Sequence, residues 1–105
     1  MKIGNFDTDK KVFIIAELSA NHSGSLKTAV DTIKAAKHAG ADAIKLQTYT
    51  PDSLTLNSRL DDFVIKGGLW DGRNLYELYQ EALTPREWHA ELFKVAKEEG
   101  LVCFS

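Results

Sequence analysis

The 105-residue chain has one cysteine, Cys103, so no internal disulfide framework can be built, and a reducing, cytoplasmic setting fits. No apolar run approaches the ~20 residues that span a bilayer. The opening stretch, MKIGNFDTDKK, is polar and lacks the apolar segment of a signal peptide. Neither sign of charge is in excess. The net charge is −2 with acids and bases interspersed, which gives neither nucleic acid nor an anionic membrane a surface to bind. Repeats and low-complexity segments are also missing. What remains is ordinary globular composition, 44% hydrophobic and 27% charged, enough for one small domain.

Hydrophobic patterning gives an alternating order of elements. Residues 12–16, VFIIA, form a β-branched apolar run, predicted as a strand buried on both faces, with Glu17 at its C-terminal end. LSANHSG reads as a loop. Ser25 is a suitable N-cap, and Leu26, Ala29, Val30, Ile33 and Ala36 then recur at helical spacing. Lys34, Lys37 and His38 suit the negative end of that helix, and Gly40 is the expected stop. A second strand is predicted over 42–48. Residues 49–73 read as a long irregular loop, of the kind that is usually functional or disordered. NLYELYQEAL predicts a short helix with Leu75, Leu78, Tyr79 and Ala82 on one face. TPRE predicts a helix start, with Thr84 as N-cap, Pro85 in the first position and Glu87 closing a capping box. Trp88, Leu92, Val95 and Ala96 give its buried stripe, Gly100 stops it, and LVCFS begins a third strand. Such alternation argues for parallel strands joined by right-handed crossovers. Three strands are too few to close a barrel, which takes ~250 residues. A bare apolar strand is a rare place for a stable domain to stop, so the chain is expected to be the front part of something longer.

The second strand carries polar residues where a buried strand should be apolar. Side chains alternate between strand faces, so Ile44 and Leu46 share one face and Ala43, Lys45 and Gln47 the other. In an α/β barrel the first pair suits the helix side. Lys45 and Gln47 would then point inward near the C-terminal mouth, where barrel active sites sit. Glu17 ends the first strand at the same end, with Phe13 and Ile15 as face-mates suited to an interior. Three polar groups from adjacent strands are thus predicted to converge. A structural ion pair, or a lysine guarding an open edge, explains Lys45 equally well on pattern alone.

Other residues carry less. His22, in NHSGS, reads as a hydrogen-bonding residue that shapes its turn, with no second ligand at metal spacing beside it. His38 and His89 are expected to be solvated on helices. GSLKT lacks the G-x-x-x-x-G-K-[ST] pattern of a phosphate loop. Phe63, Trp70 and Tyr76 are expected to pack as a loop cluster, Trp70, Asp71 and Arg73 read as solvated loop residues that could reach a substrate, and Cys103 reads as a small core residue.

FIIAELSANHSGSLKTAVDTIKAAKHAGADAIKLQTYTPDSLTL combines an apolar strand ending in Glu, then NH-x-GS, then AGADA-x-K-x-QTY. In that order and at those distances it resembles the opening of the sialic-acid synthase family. FVIKGGLWDGRNLYELYQEALTPREWH and the SANH form of the first loop look like the family's pseudaminic acid branch. The resemblance covers essentially the whole chain. It implies a (β/α)8 TIM barrel followed by a small antifreeze-like domain, in a domain-swapped homodimer. This chain would be the N-terminal portion of such a barrel, ending inside the third strand.

The implied reaction condenses phosphoenolpyruvate with an amino-sugar aldehyde, here a 2,4-diacetamido-2,4,6-trideoxy hexose. A divalent metal, Mn2+ or Mg2+, polarises the aldehyde. By position, the resemblance makes Glu17 the proton carrier and Lys45 and Gln47 binders of the anionic substrate. Asn21 and His22 match the family loop, where they are expected to shape the substrate site. The metal ligands, a second substrate lysine and a phosphate-binding hydroxyl are expected beyond Ser105, so the isolated chain is expected not to turn over. N-acetylneuraminate or legionaminate synthesis is the alternative within the fold, and a self-associating, non-catalytic βα module is the alternative outside it.

Overall fold

The computed structural model describes all 105 residues. It opens with a feature the sequence reading passed over. Strands β1 (Lys2–Ile3) and β2 (Phe6–Asp7) pair antiparallel around Gly4-Asn5, with Ile3 opposite Phe6. A glycine with positive φ at the first of two turn positions is a hairpin signature, and Gly4 has φ +57°. Phe6 meets Phe13 edge-on at 4.8 Å, which ties the hairpin to the chain entering the main sheet.

That sheet holds β3 (Ile15–Glu17), β4 (Ala43–Lys45) and β5 (Val102–Phe104), all parallel and in sequential order. The register sets Ile15 beside Ala43 and Val102, Ala16 beside Ile44 and Cys103, and Glu17 beside Lys45 and Phe104. The first strand is therefore shorter and later than 12–16. A ladder needs a partner, and β4 begins only at Ala43, opposite Ile15. Asp42 closes the strand entrance: its carboxylate accepts the Ile14 N–H at 3.0 Å, while its own N–H donates to the Ile14 carbonyl at 2.8 Å. β4 is likewise shorter than 42–48, although the Leu46 N–H still reaches the Phe104 carbonyl at 2.8 Å.

Helix α1 (Leu26–His38) starts at Ser25, whose hydroxyl accepts the Thr28 N–H, and bears Lys37 and His38 in its last turn. Gly40 and Gly100, with φ +97° and +73°, take the left-handed conformation that ends α1 and the last helix, α4 (His89–Glu98). α1 and α4 pack side by side on one face of the sheet. Their stripes bury Ile33 and Leu92 against Leu18, Ile44 and Leu46, each at most 2% exposed. Each such side chain contributes roughly 1.5–3 kcal/mol.

The other face of the sheet is bare, which corrects the expectation of a first strand buried on both sides. Ile15 is 46% and Val102 40% exposed, because both crossovers run over the same face. The radius of gyration is 16.4 Å, against ~13 Å for a closed domain of this length.

Residues 49–73 are more ordered than predicted. They contain α2 (Pro51–Leu54), a 3-10 turn at Asp61–Phe63, and a bridge between Val64 and Asn74. Asn74 then caps α3 (Leu75–Ala82) by accepting the Glu77 N–H. The capping box at TPRE does not form. Arg86–Trp88 is a 3-10 turn leading into α4, without a side-chain cap. Thr84 is fully buried and turned to the end of β4 instead, where main-chain groups of Gln47 need partners. No helix is long and apolar enough to cross a membrane.

Candidate active site at the strand ends

Parallel pairing in register puts Glu17 and Lys45 side by side at the C-terminal ends of β3 and β4. Both point to the bare face, and the Lys45 Nζ donates to Glu17 Oε1 at 3.1 Å. The side chains are 59% and 46% exposed, so the pair lies open to solvent and to any ligand. Gln47 follows two residues on, and its Nε2 donates to the Ala82 carbonyl at the end of α3 at 3.4 Å. A cavity of about 210 Å³ is lined by Glu17, Lys45 and Gln47, together with Ser19, Thr48, Tyr49 and Ser105. The three residues predicted to converge do share one hollow.

The sequence reading missed its remaining walls. Ser105 is fastened beneath it: its Oγ accepts the Thr48 N–H at 3.1 Å and donates to the Leu46 carbonyl at 3.3 Å. Tyr49 donates its hydroxyl to the Tyr79 carbonyl at 2.9 Å, and burial pushes its phenol pKa up. Ser19 has φ +51°, and Ser23, in the same β3–α1 loop, has φ +49°. Left-handed backbone at a residue other than glycine costs of order 1 kcal/mol or more and gathers at functional sites. Nothing in the amino-acid sequence around either serine announces it.

The loop residues carried over from the family part company. Asn21 is exposed and holds the loop, its Nδ2 donating to the Leu18 carbonyl at 3.0 Å; it lines neither this cavity nor the next. His22 is 1% exposed. Its Nδ1 accepts the Gly24 N–H at 3.0 Å, and its ring meets Trp88 edge-on at 5.2 Å. With Nδ1 accepting, the proton sits on Nε2, which has no hydrogen-bond partner in the protein. His22 belongs to a second, larger hollow of about 960 Å³ between the β3–α1 loop, α3 and the start of α4. Gln47 and Tyr49 border both hollows.

Other expectations change. His38 is exposed as predicted, but His89 is half-buried, with Nε2 2.7 Å from the Thr48 hydroxyl. Residue 89 opens α4 facing β4, so it gains a partner rather than solvent. Phe63, Trp70 and Tyr76 go separate ways: Trp70 borders the larger hollow, Tyr76 donates to Asp52, and Phe63 ends its 3-10 turn. Asp71 accepts the Gly67 N–H, and Arg73 makes two hydrogen bonds to Glu81. Cys103 packs half-buried on the core, where burial raises its thiol to about 11.

No three His, Cys, Asp or Glu side chains are grouped to hold a metal ion. The chain's own residues do not make up a divalent-metal site.

Comparison with known proteins supplies the context. The chain is 72% identical over all 105 residues to Pseudaminic acid synthase of Campylobacter jejuni subsp. jejuni, covering 31% of that protein. It is 59% identical over 92 residues to Pseudaminic acid synthase of Helicobacter pylori, with 88% of this chain and 27% of that one aligned. The chain thus spans about a third of the length of these relatives. Among solved structures it resembles the N-acetylneuraminic acid (sialic acid) synthetase of Leptospira borgpetersenii serovar Hardjo-bovis, with TM-score 0.74 at 24% identity, over 99% of this chain and 32% of that one. That likeness establishes the shared fold. The model of the NeuB family matches residues 32–105. The family match over residues 32–105, together with 72% identity along the whole of this chain to one relative, means that the chain belongs to the NeuB family.

Proposed function

We propose that this chain forms the first three strands of a (β/α)8 barrel in a pseudaminic acid synthase. The enzyme would join phosphoenolpyruvate to a 2,4-diacetamido-2,4,6-trideoxy hexose, giving a nine-carbon keto acid and phosphate. One observation carries the reading: Glu17, Lys45 and Gln47 line one hollow at the C-terminal ends of adjacent parallel strands. That is the face where barrel enzymes place their chemistry. The barrel itself is supported by sequential strand order and by crossovers confined to one face. A doubly wound sheet would reverse its strand order and carry helices on both faces. The bare face with Ile15 and Val102 then becomes barrel interior, covered by the remaining strands.

The chemistry asks for residues of these types. Carbon C3 of phosphoenolpyruvate attacks the sugar aldehyde, water adds at C2, and the C–O bond to phosphate breaks. The Lys45 ammonium and Gln47 amide supply cation and donor to the anionic substrate. Glu17 accepts a proton from the water or delivers one to the new alkoxide. The hydrogen bond from Lys45, at 3.1 Å, fixes where the Glu17 carboxyl group stands. The same reading makes the whole protein a cytoplasmic homodimer, which its mass in solution tests.

The decisive assay is phosphate release in the protein that carries this chain, with the diacetamido sugar, N-acetylmannosamine and the legionaminate precursor offered in turn. Turnover of the first above the others supports the proposal. Preference for another sugar replaces it with that synthase, and no release with any of the three overturns it.

A further inference from the structure

The main-chain bonding of β4 to β5 stops before the small hollow does. Its last bond runs from the Leu46 N–H to the Phe104 carbonyl, yet Gln47 and Thr48 lie beyond and line the hollow. Side chains from other elements take over there. The Thr84 hydroxyl holds the Gln47 N–H. The Ser105 hydroxyl accepts the Thr48 N–H at 3.1 Å and donates to the Leu46 carbonyl, which stitches the end of β4 to the end of β5. One further contact holds a side chain instead of the main chain. His89, the first residue of α4, brings its Nε2 to 2.7 Å from the Thr48 hydroxyl. Either neutral tautomer makes this bond, because a hydroxyl both donates and accepts. Phe93, one turn later on α4, stands behind the imidazole with ring centres 5.9 Å apart. His89 itself borders neither hollow, so any effect on a ligand there passes through Thr48.

We propose that His89 is a positioning residue of the synthase site: by holding Thr48 from the helix side it keeps the end of β4 in register with β5 and α4, so that Lys45 and Gln47 reach the same anion. The proposal rests on the synthase reading above and adds a residue that acts on the site from outside it. The rest of the contact between α4 and the sheet is made by Leu92, Val95 and Ala96. Apolar packing of that kind is non-directional and leaves the strand end free to slide, whereas a short hydrogen bond fixes both distance and direction. Gln47 is next to Thr48 in the chain, and Lys45 is two residues before Gln47, so a shift of Thr48 moves the strand end that bears both. A displacement of about 1 Å at a reacting group can cost on the order of a hundredfold in rate, and a site is only as precise as the side chains that support it.

The test uses the protein that carries this chain, with KM measured separately for phosphoenolpyruvate and for the sugar it turns over. Thr48→Val keeps the main-chain bond to Ser105 and deletes only the hydroxyl. His89→Leu deletes the same contact from the other side. Each is expected to raise the phosphoenolpyruvate KM by about tenfold and to keep the sugar KM within about twofold. His89→Gln puts an amide group where Nε2 stands, able to donate or accept, and is expected to bring the phosphoenolpyruvate KM back to within about threefold of wild type. The double variant should be no worse than either single one, because both remove one contact. Should His89→Leu fail to fold, Thr48→Val decides alone. If wild type is active and these variants keep its phosphoenolpyruvate KM, the positioning role is wrong and the synthase reading stands. Losses that multiply in the double variant, or KM values for both substrates that rise together, make the contact a matter of fold stability and also overturn the role. If wild type releases no phosphate with any of the three sugars, both readings fall.

Discussion

Thr84 satisfies both main-chain groups of Gln47. Its N–H donates to the Gln47 carbonyl at 2.8 Å, and its hydroxyl accepts the Gln47 N–H at 3.2 Å. The linker between α3 and α4 thereby does what a neighbouring strand would do for the end of β4, and it fixes the residue whose amide borders the small hollow. Replacing Thr84 with Val keeps the shape and leaves the Gln47 N–H buried without an acceptor. The expected cost is about 1–3 kcal/mol. Thr84→Ser, which keeps the hydroxyl, should lose less. Denaturant unfolding of both variants checks the order.

Glu17→Gln and Lys45→Met separate chemistry from structure. The two side chains are half-exposed, so their ion pair adds about 0–1 kcal/mol to stability. A structural pair would leave activity almost unchanged. In the proposed synthase, Glu17→Gln removes the proton carrier and should lower kcat by about 10²–10⁴-fold. Lys45→Met should mainly raise the phosphoenolpyruvate KM. Melting temperature and phosphate release, measured on the same preparations, decide between the two roles.

Asp42 should make folding sensitive to acid. Its carboxyl pKa lies below the usual value, chiefly because the Ile14 N–H donates to it, with Lys11 3.5 Å away adding attraction. The unfolded chain then binds a proton at higher pH than the folded one. The contribution is complete above the ordinary carboxylate pKa of about 3.9 and disappears as pH falls through the lower folded value. Asp42→Asn should therefore be less stable than wild type near neutrality, and the gap should close in acid. Unfolding midpoints between neutral pH and strong acid measure this.

Cys103 should be a poor nucleophile. Burial against the core holds its thiol at about 11, above the ~8.5 of a free cysteine. At pH 7 the thiolate fraction is then about one in ten thousand. Alkylation of the native protein is expected to be slower than that of the unfolded protein by at least about a hundredfold. Equal rates would show that the β5 face is open.

The amino-acid sequence by itself determined the order of the three parallel strands and of α1, α3 and α4, the stops at Gly40 and Gly100, the apolar stripes of α1 and α4, and the pairing of Lys45 with Gln47 on one hollow. All of these follow from local rules, since the periods of helix and strand and the left-handed freedom of glycine act within a few residues. The NH-x-GS and K-x-QTY pieces made the site legible by resemblance. Only the tertiary structure decided which polar groups were used where. Thr84 has a sequence suited to capping α4, but Gln47, 37 positions away, takes its hydroxyl. His89 reads as a solvated helix residue until Thr48, 41 positions away, meets it. His22 is sealed behind Trp88, and two hollows meet at Gln47 and Tyr49. A side chain's hydrogen bonds are settled by which distant groups lose water when the chain packs, and no local pattern records that competition.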